Sequence, residues 1–239
     1  MIDYAAPAGP ARGYLSVPEG AGPWPAVVVV QDVFGMTADI KRISDRFAAN
    51  GYLALTPALY QHGAKVGCVV STMRSVVTGR GTAVDDLIAA RDHLAADPRC
   101  TGKVGIAGFC LGGAFSLLLA PRGIFDAAAP NYGHLPKDLS TLTSSCPVVA
   151  SYGAKDRSLP GTADKLEAVL AEGDVPRDVK DYPEVGHSFM NDWNLSGPLG
   201  VLERVLGFTY SEPEAEDAWR RIFAFFGEHL DVGPATPGA

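Results

Sequence analysis

The stretch KVGIAGFCLGGAFSLLLA, residues 103–120, changes its apolar period halfway along. Up to Phe109 it reads as a buried strand and from Leu111 as a helix, so one becomes the other within a residue or two. Cys110 stands at that corner. A turn so tight forces its central residue into a strained backbone conformation. Neighbouring side chains would collide there unless absent, which accounts for Gly108 and Gly112.

The same alternation runs outward in both directions. Strand-like runs bounded by Gly and Pro occur at 13–18, 25–31, 52–57, 103–109, 126–133, 147–153 and 177–183. Helical spacing falls at 38–50, 82–96, 110–120, 161–172 and 214–229, with Gly51 as a stop for the first, and Thr82 with Asp85 three residues on as a cap for the second. AVVVV and PVVASYG are too uniformly apolar for a half-solvated sheet and read as parallel strands covered on both faces. The pattern predicts an α/β fold, one doubly wound three-layer domain over residues 1–239 with a mostly parallel central sheet. Stretches 60–81 and 191–212 read as long loops or caps, and 231–239 as a flexible tail. The terminal helix carries Ala215, Trp219, Ile222, Phe223 and Phe226 on one stripe, ordinary core spacing.

Gly-x-Cys-x-Gly at a strand-to-helix corner is the nucleophile elbow of the α/β-hydrolase fold with Cys in place of Ser. It exposes the sulfur above the sheet edge, at a helix N-terminus whose partial positive charge favours a thiolate. Such a nucleophile needs a base, and the base an orienting acid, each on a loop after a later strand and in the order acid, then histidine. Asp156 follows the strand PVVASYG, and His187 follows RDVKDYP in the context Gly186-His187. His62, His93, His134 and His229 lack that context. The predicted triad is Cys110, Asp156 and His187. Taken singly, Asp156 reads equally as a turn cap and His187 as a surface-loop histidine; the order of the three is the argument. Leu111 N–H, first after the nucleophile, and Val33 N–H, in the loop after AVVVV, are the predicted oxyanion donors.

Composition limits the partners. The chain has 239 residues, 47% of them hydrophobic, enough for a sizeable core. Its 27 acidic residues outnumber 20 basic ones for a formal charge of −7, which disfavours nucleic acid. The start MIDYAAPAGP has neither a basic nor an apolar leader region, and no apolar run approaches the roughly 18 residues of a membrane span. A soluble cytoplasmic protein, monomer or small homo-oligomer, is expected. Cys68, Cys100, Cys110 and Cys146 are scattered without CxxC spacing, which argues against a disulfide framework and a zinc site.

In this order GYLSVP, VVVVQDVFG, GYLALTPALY, GFCLGG, YGAKD and GHSF resemble the dienelactone hydrolases over residues 12–230. The resemblance implies a compact α/β-hydrolase, a Cys-Asp-His triad at Cys110, Asp156 and His187, oxyanion donors at Val33 and Leu111, and hydrolysis of an activated lactone or ester through an acyl-cysteine. It implies no metal and no organic cofactor. Two departures are visible. Asp32 stands where the family's well-known members have a Glu that pairs with the resting thiol. After GHSF the chain reads Met190, Asn191 and Asp192, with no arginine for a substrate carboxylate. A second arginine is expected within 65–82, where Arg74 and Arg80 are available. Candidate pocket residues are Phe34, Arg74, Arg80, Tyr132, Ser188, Phe189 and Asn191. Segment 191–212, with Trp193, Phe208 and Tyr210, reads either as an apolar lid or as surface packing. The expectation is a small-molecule ester or lactone hydrolase with a preference other than the dienelactone. The competing reading is a non-catalytic or redox-sensing relative in which Cys110 binds a ligand or is oxidised. A serine hydrolase is excluded by the lack of a G-x-S-x-G elbow.

Overall fold

The computed structural model describes residues 1–61, 65–193 and 209–230. Among these, eight strands form one sheet: β1 (Ile2–Ala6), β2 (Gly9–Ser16), β3 (Trp24–Val30), β4 (Leu53–Pro57), β5 (Cys100–Phe109), β6 (Ala127–Asn131), β7 (Val148–Gly153) and β8 (Arg177–Tyr182), in the order β1-β2-β4-β3-β5-β6-β7-β8. β1, β2 and β4 pair antiparallel and all the others parallel. β4, β6 and β7 are buried along their whole length, as their unbroken apolar runs require of strands covered on both faces.

Six helices accompany the sheet among the described residues: α1 (Ala38–Ala49), α2 (Lys65–Thr78), α3 (Thr82–Ala96), α4 (Leu111–Leu119), α5 (Thr162–Glu172) and α6 (Glu212–His229). α1 and α6 meet on one face, where Phe47 lies edge-on to Trp219 at 5.4 Å and Arg46 pairs with Glu216. The predicted stripe of α6 is thus core: Ala215, Trp219, Ile222 and Phe226 are buried and Phe223 is partly so. The chain leaves β3 outward to β4 and returns across it to β5. That reversal opens a crevice at the C-terminal ends of β3 and β5, where ligands bind in such sheets.

Three expectations need correction. Residues 65–78 are helix α2, not loop. The helix buries Cys68, Thr72 and Ser75 while Val70, Met73 and Val77 are exposed, so its polarity is inverted and no outward-polar period marks it. β1 was not expected either, because this short edge strand buries only Tyr4. Thr82 is the first residue of α3, not its cap; Gly81, at φ 117°, holds the cap position without a side-chain hydrogen bond. Residues 194–208 of the candidate lid, Phe208 included, and the tail 231–239 lie outside the described residues. No described helix is long and apolar enough to cross a membrane.

Close backbone approach fixes α4 against the sheet. A Cβ on Gly112 would stand 2.2 Å from the Val30 carbonyl oxygen, whereas one on Gly227 of α6 would meet nothing within 4 Å. Gly112→Ala is therefore expected to destabilise the fold by at least about 3 kcal/mol, and Gly227→Ala to stabilise it by about 0.5–1 kcal/mol, in urea unfolding.

Candidate active site

Cys110 links β5 to α4 at φ 55° and ψ −111°, a strained conformation for a residue with a side chain. Its N–H donates to Asn131 O and its carbonyl accepts the Ala114 N–H, both at 3.1 Å. Gly108 is required because a Cβ there would fall 2.0 Å from Gly112 O; Gly113 and Gly133 press backbone on backbone in the same way. Two of the other three non-glycine residues with positive φ, Tyr132 and Ser188, belong to the same neighbourhood.

The loops after β7 and β8 carry Asp156 and His187, the predicted acid and base. Gly153 ends β7 where a Cβ would collide with the carbonyls of Val185 and Gly186, so the two loops can lie together, and Lys155 N–H donates to Val185 O at 3.0 Å. Asp156 divides its carboxylate. Oδ1 accepts from the Ser158 N–H (2.8 Å) and hydroxyl (2.6 Å), and Oδ2 lies 2.6 Å from His187 Nδ1. The turn cap and the partner of histidine are thus one residue. His187 Nε2 is 3.0 Å from Cys110 Sγ. Burial raises the Asp156 pKa, but the hydrogen bonds from His187 and Ser158 outweigh it and hold the carboxyl below its usual range. Burial likewise opposes the His187 imidazolium, yet Asp156 and Cys110 raise its pKa to about 9. An ionised Asp156 places the ring proton on Nδ1 and turns Nε2 toward the sulfur, the arrangement a proton transfer from thiol to imidazole needs.

The loop after β3 faces this corner. Neither Val33 N–H nor Leu111 N–H donates to any group among the described residues, and both residues are partly exposed. Asp32 is not hydrogen-bonded to the thiol. Its Oδ1 accepts the Phe34 N–H at 2.7 Å and its Oδ2 accepts Trp193 Nε1–H at 3.0 Å, with Asn191 Nδ2 at 3.5 Å. The short side chain folds back on its own loop, and burial raises its pKa to about 6 against the opposing hydrogen bonds from Trp193 and Phe34.

The other predicted pocket residues divide. Phe34 is exposed beside this loop and meets Trp193 edge-on at 4.9 Å. Tyr132, Ser188, Phe189 and Asn191 are buried and form a layer beneath the histidine, not an open wall. Tyr132 lies edge-on to the His187 ring at 5.3 Å and donates its hydroxyl to Asn191 Oδ1 at 2.6 Å. Asn191 Nδ2 in turn donates to Asp39, which Arg42 engages through its guanidinium. Arg74 and Arg80 are exposed and make no ion pair among the described residues. Sequence reasoning passed over Tyr60, whose hydroxyl donates to Val33 O at 3.0 Å. Its signal was its place three residues beyond the end of β4, next to β3. Gln31, buried beside Tyr60, was passed over too. Among the described residues no three His, Cys, Asp or Glu side chains converge as metal ligands would.

A mostly parallel sheet with the strained Cys110 corner at the switch point, followed in order by the loops of Asp156 and His187, defines an α/β-hydrolase. The chain belongs to the dienelactone hydrolase family, whose model matches residues 11–230. It is 31% identical over 240 residues to a Yersinia pestis protein named "Putative carboxymethylenebutenolidase", covering 90% of this chain and 83% of that one. A Methylorubrum extorquens protein of the same name is 29% identical over 235 residues, covering 90% and 76%. Among solved structures, a dienelactone hydrolase-like promiscuous phosphotriesterase from metagenomic libraries superposes with a TM-score of 0.79 at 26% identity, covering 96% of this chain and 97% of that one.

The His187–Asp156 pair has a defined pH window. A raised histidine pKa contributes stability that is complete below its unfolded value of about 6.5 and lost as pH rises through about 9. The lowered Asp156 pKa contributes stability that is complete above about 3.9 and lost as pH falls through its folded value. The drop in thermal midpoint caused by Asp156→Asn should be greatest between about pH 4 and 6.5 and shrink as pH rises past about 9, as scanning calorimetry across pH will read.

Proposed function

We propose that this carboxylic ester hydrolase cleaves neutral, activated esters or lactones through an acyl-cysteine on Cys110. The observation that carries the proposal is the line of contacts from Sγ to His187 Nε2 (3.0 Å) and from Nδ1 to Asp156 (2.6 Å), starting at a sulfur held on a strained corner. With the thiol proton held on His187, as its raised pKa favours, the thiolate attacks the substrate carbonyl carbon. The carbonyl π pair moves to oxygen, and that oxyanion is received by the Val33 and Leu111 N–H groups. When the tetrahedral adduct collapses, the C–O bond breaks and His187 returns its proton to the leaving oxygen. A water deprotonated by His187 then attacks the thioester. The second adduct expels the Cys110 sulfur and frees the carboxylic acid. A thiolate is displaced more readily than a poor alkoxide, so enol and aryl esters are the fitting substrates and amides are not.

The preference for neutral substrates rests on charge. Among the described residues the cation hydrogen-bonded into the Asp32–Asn191–Asp39 cluster is Arg42, and its guanidinium is engaged by Asp39. An arginine fork is what an anionic substrate calls for, and Asn191 follows His187 where one would serve.

Steady-state assays on p-nitrophenyl esters and enol lactones, with and without a carboxylate, test this. Wild type should turn over the neutral members with lower KM than their carboxylate counterparts. Cys110→Ala should lose at least about 10³-fold in kcat/KM, and acid-quenched wild type should show the acyl mass on the peptide bearing Cys110. An alanine variant as active as wild type would refute the acyl-cysteine. Inactivity of wild type on every ester, with Cys110 readily oxidised by peroxide, would favour the redox reading.

A further inference from the structure

The turn that carries the Val33 N–H is held in an unusual way. Its central peptide unit, between Val33 and Phe34, is gripped at both ends. The Val33 carbonyl accepts the Tyr60 hydroxyl at 3.0 Å, and the Phe34 N–H donates to Asp32 Oδ1 at 2.7 Å. A peptide plane between two turn residues has one soft motion, a crankshaft rotation that swings its carbonyl and N–H to opposite sides; this is how turns of different type interconvert. Hydrogen bonds at both ends block that motion. Gly35 closes the turn through its N–H to Asp32 O at 3.3 Å, with φ 87°. A Cβ on Gly35 would sit 2.9 Å from the Tyr60 ring, so the glycine makes the seat in which the tyrosine lies. Asp32 is itself held from the far side by the Trp193 indole N–H at 3.0 Å, which ties the turn to the segment following His187.

We propose that Tyr60 and Asp32 are positioning residues for the oxyanion site: they clamp the Val33–Phe34 peptide and so fix the turn in which the Gly35 N–H holds the adjoining Asp32–Val33 peptide by its carbonyl, leaving the Val33 N–H of that peptide to meet the developing oxyanion without reorganising. The proposal rests on the reading of Val33 N–H as an oxyanion donor. It assigns Asp32 to loop geometry and gives a function to Tyr60, which neither touches the triad nor enters the proposed chemistry. Preorganised donors act in the transition state, so the effect belongs in the acylation rate and not in substrate binding or in the nucleophilicity of the thiol.

Two reactions of the same sulfur separate these quantities. Acylation by p-nitrophenyl acetate, followed as a pre-steady-state burst, builds an oxyanion; alkylation of Cys110 by iodoacetamide displaces iodide and builds none. Tyr60→Phe, which removes one oxygen, should slow acylation about 10-fold, with the substrate dissociation constant read from the concentration dependence of the burst rate, and the alkylation rate, within about 2-fold of wild type. Asp32→Asn, which replaces the carboxylate acceptor of the Phe34 N–H by a weaker neutral one and loses the acceptor for Trp193, should likewise slow acylation and leave the alkylation rate near that of wild type, and it serves where Tyr60→Phe lowers the thermal midpoint. Val33→Pro deletes the donor itself at a turn position where proline is well tolerated, and should slow acylation about 100-fold. If acylation and alkylation fall together in Tyr60→Phe and Asp32→Asn, or neither falls, the clamp is refuted while a slow Val33→Pro leaves the donor reading standing. If Val33→Pro acylates at the wild-type rate, the donor reading fails and the clamp with it.

Discussion

Gly112 brings the start of α4 so near the end of β3 that a methyl group there would lie 2.2 Å from the Val30 carbonyl oxygen. Everything at the site follows from that approach. Without it the helix would stand farther off the sheet and the corner at Cys110 would relax. The left-handed backbone of Cys110 costs on the order of 1–3 kcal/mol, and it persists because backbone contacts at Gly108, Gly113 and Gly133 leave no room for an alternative. Strain at the sulfur and absence of side chains around it are one constraint seen from two sides.

The electrostatics are arranged around the same corner. Asp156 is fixed by its own turn before it meets His187, so its second oxygen is aimed without freezing a free side chain. His187 is supported from below by Tyr132, whose hydroxyl runs on through Asn191 to Asp39 and Arg42. The histidine thus rests by ring contact on a hydrogen-bonded layer that runs from Tyr132 to α1.

Much of this was legible in the chain itself. The change of period at Phe109–Leu111, the glycines beside Cys110 and the order of Asp156 and His187 are local or ordinal signals that survive without coordinates. α2 was not legible, because its exposed Val70, Met73 and Val77 and buried Thr72 and Ser75 invert the usual polarity, and packing against α3 overrides the pattern. The partners of Asp32 were not legible either. Which way a short carboxylate turns depends on Trp193, 161 residues away, and on the amide of its own loop. Tyr60 shows the same limit: its meaning lies in the neighbouring of β3 and β4, which a strand pattern does not rank.

The substitution pattern at Asp32 and Asn191 is coherent when the two are considered together. Two carboxylates, Asp32 and Asp39, are buried within reach of one amide, and neutral donors from Trp193, Phe34 and Asn191 share the task of satisfying them with the single guanidinium of Arg42. An arginine at position 191 would turn its charge to these two carboxylates instead of a ligand, and would remove the acceptor of the Tyr132 hydroxyl that supports the histidine layer. The amide therefore closes the network in a way an arginine could not without rebuilding it.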